Sequence, residues 1–179
     1  MDALLRLSNA VDWMNDRVGR IATWLVLLAC LISAGNAASR YVIHASSNAW
    51  LEVQWYMFSG MFLLGASHTL RVNEHVRVDI IYANVRDRHR VWIDLLGLIF
   101  FLLPATLVLT WMSWPFFVES WFRQESSSNA GGLIRWPVKI LMPIGFALLS
   151  LQGLSELVKR IAMLQGRIAL DTRYDKPLQ

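Results

Sequence analysis

Four long apolar segments alternate with shorter polar connectors along this chain. The apolar segments are 21–43, 51–70, 91–114 and 138–158. A helix that crosses the roughly 30 Å hydrocarbon core of a bilayer needs about 20 mostly apolar residues, and each segment is close to that length. The segments lack the alternation of barrel strands, and backbone amides in lipid must be satisfied internally. The pattern therefore predicts an all-α integral membrane protein with four transmembrane helices.

The segment 1–20 carries one apolar stripe at alternating spacings of three and four residues, formed by Leu4, Leu7, Val11, Met14 and Val18. This spacing predicts an amphipathic helix, an arm that lies on the membrane surface. The alternative is a frayed polar tail, because so short a helix is marginal without a surface to support it. A second alternative makes segment 21–43 a cleaved signal peptide. The long acidic segment before it and the return of apolar residues at 41–43 favour a retained helix.

Charge sets the predicted orientation. Hydrophobic residues make up 55% of the 179 residues, charged residues 17%, and the formal net charge is +4. Three Lys and Arg precede the first segment, five lie between the second and third, and five follow the fourth, against four on the other side. The excess of basic residues predicts that both termini and the 71–90 connector are cytoplasmic, with 159–179 a cytoplasmic tail. Since these residues sit in short connectors beside apolar segments, nucleic acid is not a predicted partner.

The connector between the second and third segments contains RVNEHVRVDI, which holds the candidate residues Glu74, His75, Arg77 and Asp79. A metal site needs several converging ligands, but His75 and Asp79 are the one close pair, so neither a metal nor another cofactor is predicted. The chain has no nucleophile elbow or glycine-rich phosphate loop, and we predict no enzymatic activity. We interpret the connector as structural, with Asp79 as the cap of a brief interfacial helix at 78–85 or as the partner of Arg77.

The predicted helices carry their polar groups near their ends. His44 and His68 fall at opposite membrane faces, so they cannot together ligate a haem. Ionisable groups near the bilayer midplane are costly and usually functional, and this chain has none there. The pattern favours a protein that is held in place over one that moves ions itself.

Two outer regions supply the remaining candidate residues. Arg40 and Glu52 flank the first connector and are predicted to form a buried or half-buried ion pair; the alternative is that each reaches the surface independently. The second outer connector, within 115–137, holds Glu119, Arg123 and Glu125 around a Ser, Asn and Gly centre that is typical of a flexible turn. We expect this connector to contact a partner.

Several segments together resemble the small membrane subunit of tripartite ATP-independent periplasmic (TRAP) transporters, the DctQ-like family. They are NAASRYVIH (36–44), AWLEVQWYMF (49–58), EHVRVDI (74–80), a proline in the third helix, and WPVKILMPIG (136–145). The most specific of these is EHVRVDI. The outer connector and the fourth helix resemble the branch described as transporting mannitol, chloroaromatic compounds or 2-oxo acids.

The resemblance implies a role in the bacterial inner membrane as one part of a sodium-driven uptake system. Its partners would be a large multi-helix subunit that carries the sodium and substrate sites, a periplasmic substrate-binding protein, and membrane lipids. The small subunit would anchor the large subunit and help to dock the binding protein. The alternative function is a four-helix membrane anchor for another complex, such as a redox enzyme.

Overall fold

The computed structural model describes residues 1–45, 47–73 and 85–169. It contains four helices: α1 (Asp2–Val42), α2 (Asn48–Val72), α3 (Asp87–Phe122) and α4 (Trp136–Leu164). Three of them, α1, α3 and α4, are long and apolar enough to cross a membrane. Helix α2 has 25 residues, but polar residues such as Glu52 and Gln54 make it less apolar. The prediction of an all-α, four-helix protein is confirmed, and three of the helices have the length and composition needed to cross a membrane.

Helix α1 runs for 41 residues without a break, so the predicted surface arm at 1–20 and the first apolar segment belong to one helix. The side of the arm that packs inside the protein is its polar side, with Ser8 and Asn15 buried, whereas Leu4 and Leu7 are exposed. Leu4 and Leu7 therefore face outward, whereas the other three residues of the predicted stripe are half-buried. The position of this arm at a membrane surface stays a prediction.

Local chemistry sets the ends and irregularities of the other helices. Ser47 caps the start of α2 by accepting a hydrogen bond from Ala49 N at 3.3 Å. The residue after α2, Asn73, has the left-handed conformation (φ 62°) that commonly ends a helix. In α3, a π-helical turn at Leu98–Leu102 precedes Pro104, which has no N–H to offer the preceding turn. This local widening accommodates Pro104 inside the long helix.

Helix α4 is the centre of the bundle. It consists of Trp136–Lys139 and Leu141–Leu164, and it packs against α1, α2 and α3, while α1 and α2 also pack on each other. Successive helices run in opposite directions. We call the end that carries Asp2 and Leu164 the proximal end, and the end that carries Val42 and Trp136 the distal end.

The interior is more polar than the surface. Among the described residues, seven hydrophobic and eleven polar or charged residues are buried, whereas Phe62, Phe101 and Trp111 are each more than three-quarters exposed. Small residues let the helices approach closely: a Cβ added at Gly145 would lie 2.8 Å from the Leu63 carbonyl oxygen. Small and polar contacts inside, with large apolar side chains outside, are typical of helices that pack within a membrane.

Candidate functional site

A folded segment of the second outer connector closes the distal end, and Glu52 holds it there. The Glu52 carboxylate accepts hydrogen bonds from Ser127 Oγ, from Asn129 Nδ2 at 2.8 Å and from the Leu133 backbone N at 2.7 Å. We call residues 125–135 the distal cap. With 5% of its surface exposed, Glu52 is buried beneath this cap. Its charge is satisfied by fixed donors, as a buried carboxylate requires.

Further contacts fix the distal cap to the helices. Ser126 and Ile134 form an isolated antiparallel bridge within the cap. Two side chains of α2 donate to cap carbonyls, Asn48 to Ala130 and Tyr56 to Ile134, both at 3.0 Å. The Ser, Asn and Gly centre that the sequence predicts to be a flexible turn is therefore bound to α2 through its backbone and side chains.

Glu125 joins the cap to the start of α4. Its carboxylate accepts a hydrogen bond from Lys139 and lies 3.9 Å from the Arg135 guanidinium. The hydrogen bond from Lys139 lowers the pKa of Glu125 below its ordinary value of 4.5, against the opposing effect of burial. Glu125 is therefore ionised at neutral pH and bridges the cap to α4.

Two other outer candidates lie apart from this arrangement. Arg40 is exposed near the end of α1, and within the described ranges no salt bridge joins it to Glu52. The predicted Arg40–Glu52 ion pair is wrong, because the Glu52 oxygens are already taken by the cap. Glu119 and Arg123 pair with each other at 3.0 Å on the exposed side of α3, one helical turn apart. An exposed pair of this kind contributes little stability and leaves both residues accessible.

A second polar cluster connects α1 to α4 at the proximal end. Fully buried Gln152 accepts from Asn15 Nδ2 at 2.7 Å and donates to Asp12 Oδ1 at 2.9 Å and Glu156 Oε1 at 3.1 Å. Lys159 contacts both carboxylates, reaching Asp12 at 3.0 Å. We call the set Asp12, Asn15, Gln152, Glu156 and Lys159 the proximal network. It combines two carboxylates, one cation and two amides between two helices.

Neighbouring contacts extend this connection to the other helices. Arg160 of α4 lies 3.2 Å from Asp94 of α3, and both side chains are less than one-fifth exposed. Asp16 of α1 pairs with Arg71 of α2 and lies 3.3 Å from His68 Nδ1. At the proximal end, charged side chains thus join α1 to α2, α1 to α4, and α3 to α4.

The proximal network was not predicted from the sequence. A signal was present, since Gln152, Glu156 and Lys159 recur at spacings of four and three and form a polar stripe on an otherwise apolar helix. Asp12 and Asn15 lie on the polar side of α1, beside the apolar stripe that was assigned to the membrane surface. Polar stripes on two helices of a membrane protein are complementary when they face each other.

The residues between these clusters carry no charge. From 140 to 155 in α4 and from 95 to 118 in α3 there is no Asp, Glu, Lys or Arg. These stretches pack on each other, and a hydrogen bond from Ser150 Oγ to Thr106 Oγ1 at 2.9 Å joins them. Within the part of the chain that the structure describes, no group of three or more His, Cys, Asp and Glu residues is placed to hold a metal ion.

The candidates Glu74, His75, Arg77 and Asp79, and the predicted helix at 78–85, lie largely or wholly outside the described residues.

Apolar helices with their charges gathered at both ends define a multi-pass membrane protein. The family model described as "Tripartite ATP-independent periplasmic transporters, DctQ component" matches residues 29–163 of this chain. The match covers most of the sequence, so the chain belongs to the DctQ family, the small membrane component of TRAP transporters, and is a transporter subunit and not an enzyme. No curated protein and no solved structure matches it. Membership of this family replaces the alternative of a redox-enzyme anchor.

Proposed function

We propose that this chain is the scaffold subunit of a sodium-driven TRAP transporter in the bacterial inner membrane, which takes up an organic acid or a related small solute. It anchors the large transport subunit and helps to dock the periplasmic binding protein. This proposal rests on where the charged groups lie and on what they bind. At the proximal end they bind one another across helices, at the distal end they hold the cap to α2 and α4, and between the ends the helices carry no charge.

This arrangement favours a rigid body. Secondary transporters bind substrate and ions near the midplane, in discontinuous helices with exposed backbone groups. Here the proximal network and the distal cap each fix one end of α4, and the helix contacts between them include glycines and hydroxyls. A subunit that is fixed at both ends gives a moving partner a stationary surface to work against.

The proposal includes four membrane spans with both ends of the chain in the cytoplasm. Helix α2 supplies the fourth span: at 1.5 Å per residue its 25 residues extend roughly 37 Å, enough to cross the hydrocarbon core. Its polar residues are buried or bonded, with Glu52 under the distal cap and Arg71 paired with Asp16. In this orientation the distal cap faces the periplasm, where the binding protein docks.

Reconstitution tests the function directly. Sodium-driven uptake into proteoliposomes is expected when the chain, the large subunit and the binding protein are all supplied. Uptake should be lost when this chain is omitted and absent when it is the only membrane protein. Accumulation by this chain alone, or full uptake without it, would contradict the proposal.

A disulfide tests whether the subunit acts as a rigid body. The hydroxyls of Ser8 and Ser155 are 2.6 Å apart between α1 and α4, so Ser8→Cys with Ser155→Cys, in a Cys30→Ser background, is suited to forming a covalent link. Uptake by the complete transporter should be the same before and after oxidation. Loss of uptake on oxidation, with recovery on reduction, would show that α1 and α4 must move apart. Each single cysteine variant is the control for oxidation elsewhere.

A further inference from the structure

A groove runs between α2 and α3 below the distal cap, with α4 as its floor. Its volume is about 370 Å³. Trp55 and Leu63 line it from α2, Phe116 from α3, Met142 from α4, and Arg135 and Lys139 from the region where the cap meets α4. We call it the α2–α3 groove. Trp55 and Phe116, at its two sides, are 66% and 46% exposed, so the groove opens to the outside of the bundle.

The groove is charged at one end, where two cations lie beside carboxylates that are already bonded, and apolar at the other. Arg135 and Lys139 lie at the mouth beside the cap, and Leu63 and Met142 lie further along their helices, toward the middle of the bundle. A molecule that fills this groove must carry an anionic or hydrogen-bond-accepting group joined to an apolar chain. In a membrane protein, a groove of this polarity that is open to the bilayer fits a phospholipid, with its phosphate at the interface and an acyl chain in the hydrocarbon region.

The two cations differ in how far they are already engaged. Lys139 is held by Glu125 and lies over the Phe116 ring, with its nitrogen 3.9 Å from the ring centroid. Arg135 is 43% exposed, and its ion pair with Glu125 is long, at 3.9 Å. Because a guanidinium carries five N–H donors in a planar fork, Arg135 has donors to offer a phosphate in addition to this ion pair.

The acidic groups at the mouth affect which lipid headgroups can bind, because their carboxylates are already bonded to the protein. The Glu52 carboxylate is occupied by its three bonds from the cap, and Glu125 is bound to Lys139 and Arg135. A positively charged headgroup nitrogen would therefore meet cations without a carboxylate left to bind it. We propose that the α2–α3 groove is a binding site for an anionic phospholipid, whose phosphate binds Arg135 and whose acyl chain lies along Leu63, Phe116 and Met142.

Other occupants make different demands on the groove. Free phosphate would need the cations and not the apolar part, while an apolar side chain of the large subunit would need the apolar part and not Arg135. The proposal requires both parts to act on one molecule. Variants that change each part separately, studied with the isolated chain, distinguish these cases.

Native mass spectrometry of the purified full chain in detergent provides the test, with phosphatidylglycerol titrated against zwitterionic phosphatidylcholine of the same acyl chains. Phosphatidylglycerol should be retained at one site and bind more tightly. Arg135→Gln should weaken it about tenfold or more, because a charge-assisted contact is lost. Ser59→Leu, which places a larger side chain in the groove, should weaken it without changing any charge. Arg123→Gln, at an exposed arginine outside the groove, is the matched control and should bind like the wild type.

Circular dichroism and gel filtration confirm that each variant is folded, so loss of binding reports the site. Equal retention of the two lipids, or unchanged binding in either Arg135→Gln or Ser59→Leu, would overturn the proposal. Displacement of phosphatidylglycerol by an equal concentration of inorganic phosphate would also overturn it, because the apolar part would then contribute nothing. Binding that follows total basic charge, so that Arg123→Gln and Arg135→Gln lose equally, would indicate surface attraction in place of a site.

Discussion

Replacing Gln152 with leucine should destabilise the bundle by removing the central amide of the proximal network. Gln152→Leu keeps a similar volume but removes three hydrogen bonds that join α1 to α4 or brace Glu156 within α4. It leaves the Asn15 amide without its acceptor and removes one donor from each of two carboxylates. Since the side chain is fully buried, water cannot replace these bonds.

The expected loss of stability follows from the groups that form hydrogen bonds with Gln152. Hydrogen bonds between side chains of membrane helices contribute on average about 0.6 kcal/mol each, so three give roughly 2 kcal/mol as a lower bound. Bonds to charged groups contribute more, about 1.5–3 kcal/mol each in soluble proteins. Lys159 still compensates Asp12 and Glu156 in the variant, which limits the loss. We expect the free energy of unfolding to fall by about 2–4 kcal/mol.

Gln54 offers a matched control. Its side-chain amide nitrogen is buried and has no hydrogen-bond partner in the described part of the chain. Gln54→Leu makes the same chemical change but breaks no bond from that nitrogen, so its effect should be near zero or stabilising. Unfolding in mixed micelles with increasing sodium dodecyl sulfate, followed by circular dichroism, measures both variants. Equal losses in the two, or no loss in Gln152→Leu, would refute the role of the proximal network.

Three further predictions concern helix packing and the distal cap. Gly145→Ala places a methyl group against the backbone of α2 and should lower the free energy of unfolding by about 1–3 kcal/mol, whereas Gly97→Ala, with open space around it, should be neutral or stabilising in the same assay. Glu52→Ala should expose the distal cap to limited proteolysis, and Arg40→Ala should not; equal cleavage in both would contradict the assigned partners. The pKa of Glu125 is lowered in the folded protein, so its contribution is present above about pH 4.5 and is lost as the pH falls below that value. Proteolysis of the cap should accordingly accelerate in acid, and Glu125→Gln should remove that part of the pH dependence.

For the distal cap, the sequence predicted important residues but not the partners that they bind. Glu52 and Glu125 were both candidates from the sequence, Glu52 as half of an ion pair across the first connector and Glu125 in an outer connector expected to contact a partner. The partner assigned to Glu52 was wrong: Arg40 is close in sequence, but the groups that bind Glu52 are 75 to 81 positions away. A connector rich in Ser, Asn and Gly is predicted to be flexible, because its composition allows many backbone conformations. Composition does not show that a distant carboxylate will bind the N–H groups and side chains of this connector and hold it in one conformation.

The sequence alone determined the class of this protein. Apolar runs of membrane-spanning length and basic connectors are properties of neighbouring residues, and so are the motifs that identify the DctQ family, so reading along the chain was sufficient for them. The tertiary structure decided which polar groups meet, because Ser8 and Ser155 in contact are 147 positions apart. It also decided which side of α1 faces inward. An amphipathic pattern shows that a helix has two unlike sides, but only the neighbouring helix determines which side is buried, and here the polar stripe of α4 buries the polar side of α1.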